Sequence, residues 1–555
     1  MNLFTVAVSV LASFLTGYFL YGRFLARGFA LRDDQKTPAC QKNDGLDFVP
    51  AKGSFLLGQH FSAIAAAGPI VGPILAGLWF GWLPVLLWIV FGAIFMGAVH
   101  DFSTLVGSVR HEAQSVVEII RTYMGRRAHV VFLAFVWISL VYVITAFADL
   151  TSSSFVEPQL GAGVATSSVA YLGIAVLMGI ALYRLRMPLW LATTIFVPMV
   201  AFIIWIGPSY PLLLAPFSGG STKNLWNFLI LGYCALASVL PMWLLLQPRG
   251  YLGGFFLYVA LFAGVVGIFL GGEQIRYPAF LGWTSLKGLP LFPMLFVTVA
   301  CGACSGFHGL VSSGTTSKQI AKESDCRMVG YGGMLLEGLV AIIALSTLMM
   351  LAPGDPLLTS QPDRIYANGL AQFVHTFGIK LEFARSFALL AFATFIFDTL
   401  DVATRLGRYV FQELTGWQGV WGRWIAVIAT LAIPAICVST TIRDASGAVV
   451  PGWKVFWTIF GTSNQLLAAL TLLGITLWLL RSKKNWFVSF FPMLFMMAMT
   501  LWSLFLMIQP WIRSLLAGNL TLSPTSTIAI VLLVLAIVLI IEGFRSWRKS
   551  YGVKI

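Results

Sequence analysis

The sequence predicts an all-α polytopic membrane protein with about 15 transmembrane helices. Two sets of five helices form an inverted repeat, each containing one broken helix, and additional helices surround them. Three observations carry the prediction. Apolar runs of membrane length recur along the whole chain, Lys and Arg gather on alternate connections, and two runs hold helix breakers at their centres.

Of the 555 residues, 58% are hydrophobic and 10% are charged. A soluble globular chain carries about a quarter charged residues. The signal is long apolar runs and not ten-residue alternation, so the spans are helices and not barrel strands. The net charge of +14 would suggest nucleic acid on a soluble chain. Here basic residues flank membrane helices, and no basic-aromatic tract is present, so no nucleic-acid partner is expected. The partners expected are a small molecule and the lipid bilayer. Six scattered cysteines imply no disulfide framework.

Taken in order, the expected spans are 3–21, 58–79, 83–105, 130–152, 168–183, 189–206, 225–246, 251–271, 290–313, 329–352, 384–402, 422–440, 454–479, 488–508 and 526–542. Each is near the ~20 residues that cross a bilayer core. No basic residue precedes the first span, while Arg23 and Arg27 follow it. This charge order suits a retained helix whose N-terminus is outside. With that start, 26 of the 35 Lys and Arg residues fall on the inside and 9 on the outside. The asymmetry supports an odd number of spans with the C-terminus inside. The long outside loop 353–383 is expected to cap the outer mouth.

The second span contains GQHFSAIAAAGPIVGPILAG, with Gly68-Pro69 and Gly72-Pro73 at its centre. Each proline removes a backbone donor and frees the carbonyl four residues back, those of Ala65 and Pro69. In lipid such acceptors are tolerated only where they face a cavity, an ion or a substrate. A packed proline kink is the plainer alternative. The ninth span has the same character: Gly302, Ser305, Gly306, His308, Gly309, Ser312 and Ser313 interrupt an apolar helix. By the charge count these two broken spans run in opposite directions, as an inverted-repeat transporter requires. Five spans counted from each start divide the chain. Residues 1–57 hold the first helix and a cytoplasmic loop, and 58–206 the first repeat. An inserted helix pair follows at 207–289, the second repeat at 290–480, and a C-terminal pair with a cytoplasmic tail at 481–555. This is the LeuT-like arrangement.

Span 11 and its extension place Asp398, Asp401, Arg405 and Arg408 on one helix face. Intramembrane carboxylates are functional candidates by default. An internal Asp401–Arg405 pair is the structural alternative, and Asp398 lacks an immediate basic partner. His100-Asp101 is expected as a satisfied pair at the inner end of span 3, and Asp149 and Glu337 as single buried acids. Cys301, Cys304 and His308 share a helix face, but structural zinc wants four ligands, so no metal is assigned there. Asn43, Asp44 and Asp47 suit a turn better than a cation site.

NDGLDFVPA, GQHFSAIAAAGPIVGP, AVHDF, CGACSGFHGLVSSGTTSK and DTLDVATRLGRYVFQE together resemble the carbon starvation protein family (CstA). They are spread over residues 43–412, most of the chain. The resemblance implies a transporter of the bacterial inner membrane linked to peptide uptake during starvation, with relatives that import pyruvate together with protons. A His pair is expected where this chain has Gln59-His60, and the C-terminal portion carries over poorly.

The function expected is secondary active import of a peptide or a small carboxylate such as pyruvate, by alternating access, and not an enzymatic reaction. Substrate-binding candidates are Gln59, His60, Gly68, Pro69, Gly72, Ser305, Gly306, His308, Ser312 and Ser313. The helices resuming after Pro73 and near Gly306 would point positive ends at a carboxylate. Ion-coupling candidates are Ala65, Pro69, Asp398 and Asp401. The coupling ion expected is H⁺, with Na⁺ as the alternative, and no cofactor is assigned. A passive channel or a membrane-embedded nutrient sensor are the competing classes.

Overall fold

In a computed structural model the chain is all α-helical. Residues 2–44, 48–158, 160–214, 221–241, 243–286, 288–440, 452–518 and 523–552 are described. Among them there are isolated β-bridges and no strand. Twelve helices are long and apolar enough to cross a membrane, and the bent pair Gly53–Ile64 and Gly68–Phe80 forms a thirteenth span. Two further expected spans are present as shorter pieces: Thr222–Val239, and Leu291–Thr298 followed by Gly306–Val311. Every span expected from the sequence therefore has a helical counterpart, in chain order.

Several boundaries differ for local reasons. The helix expected to run to 246 ends at Val239, because Leu240 is extended ahead of Pro241. The residue before a proline disfavours the helical region. The span expected at 384–402 instead runs Leu381–Thr415 and stops at Gly416, whose φ of 75° forms a left-handed cap. Asp398 and Asp401 thus lie near its centre. Arg249, counted with an inside loop, lies within the helix Leu246–Leu270 and is 1% exposed.

The long connection 353–383 is not a bare loop. It holds the helix Pro362–His375, which packs on Leu381–Thr415. Ser154 donates to Asp363 at 2.7 Å, and Arg364 pairs with Glu157 at 2.9 Å. Both ties fasten this helix to the end of Arg126–Phe155. On another rim, Glu323 pairs with Arg110 at 2.5 Å and accepts from the Arg32 amide.

The first break lies between Ile64 and Gly68 and bends the axis by 50°. The helix resumes ahead of both prolines, not after Pro73. Pro69 stands in the first turn, where a missing donor costs nothing, and Pro73 lies inside the helix. The second break runs from Thr298 to Gly306. The two breaks pack against each other through glycines. A Cβ on Gly68 would fall 2.3 Å from the Cys301 sulfur, and one on Gly72 would fall 2.5 Å from the Thr298 carbonyl oxygen. Small residues are what allow membrane helices to approach this closely.

Gly72→Ala is therefore expected to destabilise the protein by about 1–3 kcal/mol, the cost of overpacking. A lower melting midpoint of the purified protein in detergent checks this. An unchanged midpoint would mean that the seam has room for a methyl group.

Candidate functional site

A helix interrupted in a dry core leaves carbonyls at one end and amides at the other without partners. At the second break, one neighbouring helix serves one group on each side. Gln465, on Gly452–Arg481, donates to the Phe296 carbonyl at 2.6 Å. Its neighbour Asn464 accepts from the Phe307 amide at 2.9 Å and donates to Ser305 at 3.0 Å. Trp88 donates to the Val299 carbonyl at 3.3 Å. Sequence reasoning missed Asn464 and Gln465, although the polar triplet Ser463-Asn464-Gln465 inside an apolar helix was the available signal.

At the second break the carbonyls of Thr298, Cys301, Gly302 and Ala303 have no donor among the described residues. The first break is served by its own backbone alone. The Ala67 carbonyl accepts from Ile70 and Val71 at 3.1 and 2.9 Å. Among the described residues nothing donates to the carbonyls of Ala65 or Ala66. On the two broken helices Gln59 Oε1, His60 Nε2, Thr298 Oγ1 and Ser312 Oγ are buried without partners. His60 Nδ1 lies 2.9 Å from the Thr316 hydroxyl.

The remaining candidates divide by position. Gly68, Pro69 and Gly72 form the seam toward the second broken helix, and a Cβ on Gly302 would lie 3.8 Å from the Pro69 Cα. Gly306 gives room to the helix carrying Asn464, whose carbonyl oxygen a Cβ would meet at 2.4 Å. Ser305 is held by Asn464. Ser313 donates to the Gly309 carbonyl at 2.6 Å and accepts from the Val116 amide at 3.0 Å.

Two buried charge clusters flank the breaks. In the first, Arg249 contacts both expected carboxylates. Its Nη2 lies 3.1 Å from Asp398 Oδ1, and its Nη1 meets Asp401 Oδ2. Tyr233 donates to Asp401 at 2.7 Å, and its ring lies under the guanidinium. The Asp401–Arg405 pair is not formed. Arg405 donates instead to the carbonyls of Ala237 and Leu240 at 2.7 and 2.8 Å, capping the end of Thr222–Val239. Asp398 thus has a basic partner, supplied from 149 residues away in sequence and invisible to helical spacing. The expected cation site of Ala65 and Pro69 carbonyls with these two acids is corrected accordingly: the acids already hold a fixed cation, Arg249.

The second cluster gathers groups that were expected apart. His100 Nδ1 lies 2.8 Å from Asp101 Oδ1, and His308 Nδ1 lies 2.8 Å from Asp101 Oδ2. His308 Nε2 lies 3.0 Å from Glu337 Oε2, an ion-pair contact outside hydrogen-bond alignment. All four side chains are fully buried. His100-Asp101 is thus a core pair and not an interfacial one, and Glu337 is not a single acid. Asp149 is partnered as well, by Lys223 at 2.8 Å and the Trp453 amide at 2.8 Å.

Cys301 is occupied by Asn464, whose Nδ2 lies 3.3 Å from its sulfur. Among the described residues, the one group with three metal-type ligand atoms together is Glu118, His129 and Glu413, and His129 already pairs there with both acids. Asp47 lies outside the described residues.

Removing the cation of the first cluster strands two buried acids. Arg249→Met is expected to cost about 3–5 kcal/mol, as for other broken buried pairs. Adding Asp398→Asn and Asp401→Asn should return part of that loss. Melting midpoints of the parent, the single and the triple variant check the pairing, and it would be refuted by a triple variant less stable than the single one.

Comparison with known proteins follows this geometry. The family model described as Carbon starvation protein CstA matches residues 1–362 and 356–503. The Peptide transporter CstA of Bacillus subtilis is 30% identical over 605 residues, covering 99% of this chain and 98% of that protein. The Peptide transporter CstA of Helicobacter pylori is 31% identical over 578 residues, covering 92% and 82%. The Pyruvate/proton symporter BtsT of Escherichia coli is 30% identical over 582 residues, covering 90% and 81%. Among solved structures, a manganese transporter of Eremococcus coleocola aligns over 92% of this chain and 99% of its own, with 14% identity and a TM-score of 0.45. MhsT bound to L-phenylalanine aligns over 90% and 99%, with 14% identity and a TM-score of 0.43. The family match spans most of the sequence, and the chain belongs to the carbon starvation protein CstA family.

Proposed function

We propose that the chain is a secondary active transporter of the bacterial inner membrane, importing a peptide or a small carboxylate such as pyruvate by alternating access. The observation that carries this reading is the first break. Its Ala65 and Ala66 carbonyls have no donor from the described residues, and the two broken helices carry buried, unpartnered polar atoms of Gln59, His60, Thr298 and Ser312. A core this dry keeps such groups where a polar solute binds. The helix resuming at Gly68 presents its positive end to that space, which suits a carboxylate. At the second break the Phe307 amide is taken by Asn464, and at the first those of Ile70 and Val71 are taken by the Ala67 carbonyl, which leaves the Gly68 amide to face a carboxylate. Relatives named as peptide transporters and as a pyruvate/proton symporter support both the substrate class and H⁺ as the coupling ion.

Purified protein in proteoliposomes should accumulate either labelled pyruvate or a labelled tripeptide under an imposed proton gradient, and a protonophore should abolish the accumulation. Dependence on a sodium gradient instead would change the ion. Equilibration that never exceeds the outside concentration would make the protein a channel. Pro69→Ala with Pro73→Ala should insert normally but transport at a small fraction of the parent rate, since the restored amide at 69 stands opposite the Ala65 carbonyl and can close the helix over it.

The charge distribution supports an outside N-terminus and an inside C-terminus. A single cysteine at Gly161 should react with an impermeant maleimide from outside, and a reporter after Ile555 should be cytoplasmic. The reverse pattern would overturn that orientation.

A further inference from the structure

We propose that the buried chain His100–Asp101–His308–Glu337 is the site that takes up and releases the coupling proton, with Glu337 as the carboxyl that carries it. The proposal rests on the transport reading above and names the group that would couple it.

The two buried clusters differ in how their charge is balanced. Asp398 and Asp401 share a permanent cation, Arg249, which cannot lose its proton in a protein. Asp101 and Glu337 share only imidazoles, and among the described residues no Lys or Arg forms an ion pair with either acid. The titratable groups facing Glu337 are His308, Asp101 and the thiols of Cys301 and Cys304, with His100 and His60 behind them. A neutral imidazole donates from one nitrogen only, yet His308 places a carboxylate oxygen beside each of its nitrogens. One proton beyond neutral imidazole and two carboxylates must therefore reside on His308 or on an acid, since two bare carboxylates in a dry core are costly.

The acids are not equivalent. Asp101 receives an imidazole on each oxygen, at 2.8 Å both times, and suits the anion. Glu337 has one contact, His308 at 3.0 Å from Oε2 and outside hydrogen-bond alignment, and none on Oε1, despite complete burial. It is the end of the chain where a proton can sit or leave with the least rearrangement.

Its place in the fold links it to both broken helices. One turn before it, Gly333 abuts His60 on the first broken helix, whose Cδ2 a Cβ would meet at 3.1 Å. One turn after it, Ala341 meets Gly302 in the second break, at 2.7 Å from a Cβ built there. Residues four apart share a helix face, so Glu337 stands between these two contacts. A shift of either broken helix against Arg327–Met349 alters what Glu337 touches. In the step itself a hydronium ion from one side gives its proton to the Glu337 carboxylate and leaves as water, and the Glu337 O–H bond later breaks as a water on the other side takes the proton.

Two measurements test this. Infrared difference spectra of the purified parent, taken across pH, should show a protonated-carboxyl band that changes with pH and disappears in Glu337→Gln. In proteoliposomes, Glu337→Gln should retain exchange of the substrate that the parent carries and lose its gradient-driven accumulation. Glu337→Asp should keep part of both. A band unchanged in Glu337→Gln, or gradient-driven accumulation equal to the parent, overturns the proposal. If Glu337→Gln does not fold, a parent whose carboxyl band ignores pH overturns it equally. If the parent carries neither pyruvate nor tripeptide while the band behaves as expected, the transport reading fails and the buried proton stands.

Discussion

Everything at the centre of this protein depends on one constraint: a backbone interrupted away from water must find its hydrogen bonds in the protein itself. At the second broken helix, Gln465 and Asn464, adjacent on one helix, serve the carbonyl side and the amide side of the gap. Neither gap meets the constraint in full: the carbonyls of Ala65 and Ala66 at the first, and of Thr298, Cys301, Gly302 and Ala303 at the second, have no donor among the described residues. The acceptors left at the two gaps mark where a solute would be held.

Buried charge obeys a related rule. Arg249 with Asp398 and Asp401 is a fixed arrangement, because a guanidinium keeps its proton and its two acids keep their contacts. That cluster ties the inserted helix Leu246–Leu270 to the long helix Leu381–Thr415. The cluster of His100, Asp101, His308 and Glu337 has no such permanent cation among the described residues. Its balance depends on movable protons, and its members come from three different spans. One cluster suits anchoring, the other suits change.

The helical class, the succession of spans and both broken helices were legible in the sequence, because apolar length and Gly-Pro pairs are local signals. The candidate site was legible in part. Gln59, His60 and Ser312, expected to bind substrate, keep buried polar atoms without partners. The partners were not legible. Arg249 reaches Asp398 from a distant helix, and His308 reaches Asp101 and Glu337 from two others. Spacing along one helix suggested Arg405 for Asp401, but Arg405 directs its donors to the end of another helix. Long-range pairing is decided by packing, which helical periodicity does not encode. The length of Leu381–Thr415 was missed for the same reason: its charges ended the apolar window, although the partners that bury them allow the helix to continue.

The seam between the two broken helices has a mechanical consequence. Gly68, Gly72 and Gly302 meet their neighbours with no side chain of their own in between. Interlocked side chains act as gear teeth, so one helix can pass another only by whole-turn jumps and rotamer changes. This seam has teeth on one face only: the Cys301 side chain meets Gly68, and the Thr298 carbonyl meets Gly72. A toothed face against a smooth one can be displaced by much less than a helical turn without a rotamer change on the glycine side.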